Sequence, residues 1–175
     1  MSDDQQPFIV TAALEESAFD WFDALRREHF PAGRNVVPAH LTLFHALPGD
    51  REAEVGAVLK AACARAAPME AAVRGPWWLG RGVAYRLSSP ALEALRAELA
   101  QAFEPWLTAQ DRAAWRPHIT VQNKAEPQVA RALLEELQHA FEPFAFVVEG
   151  LLVWRYLGGP WAPVARLPFG DARSD

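Results

Sequence analysis

The sequence predicts an α+β fold in one domain of residues 1–175, with two similar lobes whose antiparallel or mixed sheets face a central cleft and whose helices pack outside. Two observations predict it. The order strand, helix, strand, helix, strand occurs twice along the chain, and corresponding features keep a nearly constant offset. The helix starts at Ser17 and Ser89 are 72 residues apart, and those at Asp50 and Pro127 are 77 apart. We place the lobes at residues 7–80 and 81–170.

The first lobe contains strand and helix signals in alternation. Its strands are predicted at residues 7–14, 39–47 and 69–79. Ser17 and Asp20 match a capping box at the start of the first helix. Asp50 can cap the second helix. These signals give a strand, a helix, a strand, a helix and a strand.

The second lobe repeats that order with different local signals. Ser89 followed by Pro90 is typical of a helix start, and Pro127 indicates another. The remaining strands are predicted at residues 83–88, 116–124, 144–156 and 161–169. The last contains prolines, which is typical of an edge strand.

Composition predicts a soluble cytoplasmic protein, and we expect it to be a monomer. Hydrophobic residues make up 51% and charged residues 22% of the chain, as in ordinary globular domains. No apolar run approaches the roughly 20 residues that a membrane helix needs. The acidic start, MSDDQQPF, lacks the features of a signal peptide. Cys63 is the only cysteine, so an internal disulfide is impossible and a reducing compartment is expected.

The net charge of −5 argues against bulk electrostatic binding of nucleic acid, which normally requires a basic surface. Any attraction for RNA or nucleotides must therefore be local to a cleft. The seven tryptophans could stack on bases, but packing in the core and at its rim is the interpretation we favour for each.

The strongest chemical signal is a pair of His-x-Thr motifs. His40-Leu-Thr42-Leu and His118-Ile-Thr120-Val have the same form and occupy matching places in the repeat, 78 residues apart. Alternate residues of a strand point to one side, so each histidine shares a face with its threonine. The apolar residues between them anchor the other face in the core. One motif would be weak evidence, but two in register indicate a functional site.

Two histidines and two threonines suit reactions at a phosphodiester. Histidine changes protonation near neutral pH, so one imidazole can act as base and the other as acid. Threonine hydroxyls can donate hydrogen bonds to the non-bridging phosphate oxygens. No metal or other cofactor is needed if the leaving oxygen is protonated.

The motifs PAHLTLF and RPHITVQ, their separation and the duplicated element order resemble the two-histidine (2H) phosphoesterase superfamily. This superfamily includes bacterial 2′-5′ RNA ligases and RNA 2′,3′-cyclic phosphodiesterases. The resemblance implies a bilobal fold with His40 and His118 catalytic, and Thr42 and Thr120 bound to phosphate. It implies a metal-independent hydrolase that acts on 2′,3′-cyclic phosphates. The family's usual order would make His40 the acid and His118 the base for ring opening.

The substrate is less defined than the reaction. Family members that act on RNA ends often have basic or aromatic residues beside the motifs. Candidates for this role are Tyr85, Arg86, Arg116 and Lys124. The acidic balance makes a mononucleotide, a short oligonucleotide or another cyclic phosphate as plausible as a tRNA end.

Other functions remain alternatives. The same site could join RNA through a 2′-5′ bond, the chain could bind RNA or nucleotides without catalysis, or it could be purely structural. A zinc site is disfavoured, because His40 and His45 would face opposite ways on a regular strand and no ligand cluster is near. Cys63 lies among alanines on a helix, which indicates a core residue.

Overall fold

The structure is a computed structural model that describes residues 5–170. Within them, seven strands form a single antiparallel sheet. The strands are β1 (Phe8–Leu14), β2 (Thr42–Leu47), β3 (Met69–Trp78), β4 (Val83–Ser88), β5 (His118–Gln122), β6 (Phe144–Tyr156) and β7 (Trp161–Pro168). The helices are α1 (Glu16–His29), α2 (Glu52–Arg65), α3 (Pro90–Ala102), α4 (Ala109–Arg112) and α5 (Pro127–Ala140). The predicted α+β class is confirmed, and every strand pairing is antiparallel.

The two motif strands lie at opposite ends of the sheet. The strand order is β2-β1-β6-β3-β4-β5, with β7 paired to β6. The sheet does not close, because β2 and β5 form no backbone ladder with each other. An edge strand keeps one side free of a neighbour, so both motifs can border an open cleft.

The sequence predicts a sheet in each lobe, but the long strand β6 joins the strands of both lobes into one sheet. Residues 144–148 pair with β3, whereas residues 150–156 pair with β7 on the same side. The switch occurs at Gly150, where an added Cβ would collide with the backbone carbonyl of Leu167. The expectation of two separate sheets is therefore wrong. The lobe boundary near residue 80 stays a prediction, and the pairing of β3 with β4 crosses it.

Two of the four predicted helix starts agree with the structure. Ser89 caps α3 by accepting a hydrogen bond from Leu92 N, and Pro127 begins α5, as predicted. The capping box at Ser17 is wrong, because α1 already begins at Glu16. Asp50 is likewise no cap, since it lies within a short 3₁₀ turn that precedes α2.

The helices pack against the sheet, and all seven residues of β1 are buried. Phe22 of α1 packs edge-on against Tyr85 and Phe146. Cys63 is buried in the core as predicted, and burial raises the pKa of its thiol to about 11. None of the helices in residues 5–170 is long and apolar enough to cross a membrane. Residues 1–4 belong to the start of the chain that is expected to lack signal-peptide features. They lie outside the residues that the structure describes.

Candidate active site

One cavity of about 420 Å³ brings the two motifs together. His40, Thr42, His118 and Thr120 all line it, although the motifs are 78 residues apart in the sequence. The intervening residues Leu41 and Ile119 are buried, 1% and 0% exposed. The alternation expected of each motif is therefore present, with the polar side chains toward the cleft and the apolar ones in the core.

Each histidine is oriented by its own backbone in the same way. Nδ1 of His40 lies 2.8 Å from the carbonyl oxygen of Pro38, two residues earlier. Nδ1 of His118 lies 2.7 Å from the corresponding carbonyl of Arg116. A carbonyl oxygen can only accept, so Nδ1–H is the donor in both rings. Both rings therefore keep Nε2 available for proton transfer at the cavity.

A tryptophan flanks each imidazole. The ring centroids of His40 and Trp161 are 4.7 Å apart, and those of His118 and Trp77 are 5.7 Å apart. Together with the Nδ1 hydrogen bonds, these contacts limit how far either imidazole can rotate. The arrangement is what proton transfer needs, since the reacting atoms must stay within about half an ångström of their working positions.

Burial lowers the pKa of His40 to about 4. The hydrogen bond to the Pro38 carbonyl raises this pKa, but the nearby charge of Arg26 lowers it further, as do His118 and His45. At neutral pH the His40 imidazole is therefore uncharged. An anion bound beside the ring would raise its pKa, because it stabilises the imidazolium form.

Arg26 connects the segment before the first motif to the second motif strand. Its Nε donates to Val37 O at 2.9 Å and to Asn35 Oδ1 at 2.8 Å, and its Nη1 donates to Thr120 O at 2.9 Å. Burial lowers the pKa of Arg26 to about 10, with Asp23 acting in the opposite direction, so the guanidinium stays charged at neutral pH. One side chain thus connects the segment before His40 to the backbone of the second motif.

The segment that precedes the second motif is attached to β2 at the other side of the cavity. Trp115 Nε1 donates to Thr42 O at 2.9 Å. Buried Arg96 donates to Leu43 O at 3.3 Å and to the backbone oxygen of Asp111 at 2.5 Å. These side chains bridge the gap between the two edge strands without a backbone ladder.

His45 also lines the cavity, which corrects the expectation that it faces away from His40. The expectation assumed a regular strand, but the pairing of β2 with β1 is interrupted on both sides of Phe44. Leu43 and Phe44 are consecutive and both fully buried, which shifts the alternation of faces by one residue. The ring Nδ1 of His45 lies 2.9 Å from Asp111 Oδ1.

The four candidate substrate-binding residues divide into two groups. Arg116 lines the cavity, and Arg86 lies close by, with its Cζ 4.7 Å from the centroid of the Trp77 ring. Tyr85 does not face the cleft, because neighbours on a strand point to opposite sides, and its ring is 2% exposed in the core. Lys124 is exposed in the turn after β5 and does not line the cavity.

The cavity is electropositive although the chain is acidic overall. The titratable residues lining it are His40, His45, Arg96, Asp111, Arg116 and His118. Asp111 is the single acid among them and bonds to His45. Among residues 5–170, no group of three or more His, Cys, Asp or Glu side chains is placed to hold a metal ion. The site thus offers imidazoles, hydroxyls and guanidinium groups to an anion.

Sequence reasoning missed Arg26, Arg96, His45 and Asp111. A signal for Arg26 was present, since it continues the buried positions of α1, Ala18 and Phe22, at intervals of four. An arginine in an apolar helical stripe needs a polar partner in the core. Asp111 lies in a short connecting segment, where no local pattern indicates burial.

Comparison with known proteins places this geometry among related folds. The sequence model of the 2′-5′ RNA ligase superfamily matches residues 14–160. The protein TT0787 of Thermus thermophilus superposes with a TM-score of 0.69 at 18% identity, over 95% of this chain and 100% of that one. Escherichia coli LigT complexed with 3′-AMP superposes with a TM-score of 0.61 at 19% identity, over 95% and 99%. No curated protein matches by sequence.

Proposed function

Because the chain belongs to the 2′-5′ RNA ligase superfamily, the two-histidine phosphoesterases, we propose that it hydrolyses a 2′,3′-cyclic phosphate at an RNA end or on a nucleotide. The supporting observation is that both His-x-Thr motifs line one cavity. Their imidazoles have the same Nδ1 hydrogen bond and the same available Nε2. Two groups in equivalent settings suit a reaction that removes one proton and delivers another.

The reaction assigns one role to each side chain. One imidazole takes a proton from water as the water oxygen attacks phosphorus. The bond between phosphorus and one ribose oxygen breaks, and the second imidazole gives that oxygen a proton. Thr42 and Thr120 donate hydrogen bonds to the non-bridging oxygens, where negative charge must be stabilised in the transition state. Protonation of the leaving oxygen makes a metal ion unnecessary, so we propose a metal-independent reaction.

The pKa of His40 supports its assignment as the base. A group with a pKa of about 4 enters the reaction neutral at pH 7 and can accept a proton. His118 then acts as the acid that protonates the leaving ribose oxygen. This order is the reverse of the one that the family resemblance implies.

The charge distribution favours small substrates. The electropositive cavity can attract a phosphate, but the net charge of −5 disfavours a long polyanion outside it. A cavity of about 420 Å³ is within the range that encloses ligands of nucleotide size. We therefore expect cyclic mononucleotides or short RNA ends, acted on by a single-domain cytoplasmic monomer.

The test measures hydrolysis of 2′,3′-cyclic AMP and of a short RNA with a cyclic phosphate end, with EDTA in excess. We expect turnover by the wild type and its loss in His40→Ala and His118→Ala. His139→Ala is the matched control, because His139 is exposed near the end of α5 and does not line the cavity. Turnover near the wild-type rate in both motif variants would end the proposal.

Two alternatives use the same cavity. The matched family is described as 2′-5′ RNA ligases, so RNA joining through a 2′-5′ bond is the second candidate. Analysis of products from paired RNA ends distinguishes joining from hydrolysis. Binding without turnover across a panel of phosphodiesters would instead indicate a module that binds RNA or nucleotides.

A further inference from the structure

His45 and Asp111 form a second histidine unit at the cavity, which the proposed reaction does not use. The Asp111 carboxylate accepts hydrogen bonds from His45 N at 2.9 and 3.0 Å and from Ala46 N at 3.1 Å. It also bonds to Nδ1 of the His45 ring at 2.9 Å. The Asp111 side chain is 1% exposed, so three donors fix a buried carboxylate.

The His45 ring itself is open to the cavity. Its side chain is 42% exposed, in contrast to the carboxylate that holds it. Because Nδ1 bonds to Asp111, Nε2 is the ring atom left to meet a ligand. Hydrogen bonds to Asp111 from both the ring and the backbone of His45 restrict rotation of the ring. A polar group held in this way is preorganised for binding.

The cavity is lined by more groups that can bind an anion than one phosphate requires. The reacting phosphate is assigned to the motif histidines and threonines. His45 and Arg116 also line the cavity, whereas Asp111, the one acid among the described residues that line it, lies beside His45. The pKa of His40 responds to the charge of His45, which places the two rings within electrostatic range of each other. The cavity can therefore accommodate more than one negative charge.

We propose that His45, held by Asp111, binds a second anionic group of the substrate. The protonated ring donates from Nε2 to a phosphate oxygen, and Asp111 balances part of its charge. The substrate class is then a nucleotide or RNA end with a further phosphate on the nucleoside whose 2′ and 3′ oxygens react. This inference rests on the proposed function only for the identity of the first phosphate.

A purely structural role makes a different prediction. The Asp111 carboxylate joins α4 to β2 through the backbone N–H groups of His45 and Ala46, and those bonds need no imidazole. Replacing the ring while keeping Asp111 therefore separates anchoring from ligand binding. His45→Ala retains both backbone donors and removes only the exposed ring.

The test compares adenosine 3′,5′-bisphosphate with adenosine 3′-monophosphate, titrated calorimetrically into the full chain. We expect the wild type to bind the bisphosphate at least about tenfold more tightly, as one charge-assisted hydrogen bond allows. His45→Ala should bind both at the affinity of the monophosphate, and His139→Ala should match the wild type. Equal binding of the two probes by the wild type, or equal weakening of both in His45→Ala, would overturn the inference.

The same titration separates this inference from the proposed function. A bisphosphate preference that depends on His45, in a protein that hydrolyses no cyclic phosphate, would refute the hydrolase proposal and leave this one standing. Hydrolysis of 2′,3′-cyclic AMP by a wild type with no such preference would do the reverse.

Discussion

The immediate surroundings of His40 and His118 are alike, but the contacts of their chain segments with the rest of the molecule differ. Both rings donate from Nδ1 to a carbonyl two residues earlier, and both contact a tryptophan. His118 begins β5, which pairs with β4. His40 lies outside β2, in a segment held to the rest of the molecule by Arg26. A repeated motif can thus supply two similar groups, while the tertiary contacts make them chemically unequal.

The largest expected effect comes from removing either imidazole. His40→Ala and His118→Ala should each lower kcat for cyclic phosphate hydrolysis by about 10²–10⁴-fold, because each ring carries one proton transfer. Steady-state rates with EDTA present measure the loss, and thermal unfolding checks that both variants fold. Loss in one variant alone would mean that the two motifs do not act as a pair.

The threonines should matter less than the histidines and about equally. Thr42→Val and Thr120→Val keep the side-chain volume and remove one donor each. We expect each to lower kcat by roughly 10²-fold, the usual effect of losing one hydrogen bond to a developing negative charge. His139→Ala again serves as the control, since His139 is exposed near the end of α5 and does not line the cavity. Unchanged rates in both motif variants would remove the threonines from the site.

Arg26 tests whether the bridge between the motifs positions the histidines. Arg26→Met removes the donors to Val37 O and Thr120 O, which should cost about 1–3 kcal/mol of stability for each acceptor left unpaired. We expect kcat to fall roughly tenfold, since misplacement of reacting groups slows the reaction. The KM should change little, because Arg26 does not line the cavity.

Arg27→Met is the matched control for that variant. Arg27 neighbours Arg26 on α1, but its side chain is 68% exposed and pairs with Asp23. Its activity and unfolding temperature should stay close to those of the wild type. Equal losses in the two variants would show that the bridge has no special role, and partial recovery in Arg26→Lys would support it.

The smallest effect is on the pH profile. If His40 is the base, activity requires its neutral form, so kcat/KM rises with pH through the pKa of His40 in the free enzyme. The acid limb should therefore lie near pH 4 and below the ordinary histidine value of about 6.5. Rates measured from about pH 3 to 8 locate it. An acid limb near 6.5 would contradict the assignment of His40 as the base.

The parts of this arrangement that could be predicted depend on local sequence. Ser89 and Pro127 mark helix starts because capping and proline effects act within one turn. The motif residues alternate between cavity and core as the strand period requires. The same period places Tyr85 and Arg86 on opposite faces of β4, so only one of them can face the cavity.

The remaining parts depend on contacts between distant segments. The interrupted register of β2 brings His45 to the cavity, and it arises from pairing with β1. Asp111 is buried because it meets backbone donors 65 and 66 residues away. The single sheet forms because β6 pairs with both β3 and β7 along the same edge. No short window of sequence contains these partners, so no periodicity could have indicated them.

The proposed catalysis depends most on both imidazoles reaching one anion. A crystal structure with adenosine 3′-monophosphate tests this directly. We expect Nε2 of His40 and of His118 within about 2.6–3.2 Å of oxygens of the same phosphate, with the hydroxyls of Thr42 and Thr120 also bonded to it. A phosphate bound elsewhere, or bonded to one motif while the other histidine points away, would contradict the proposal.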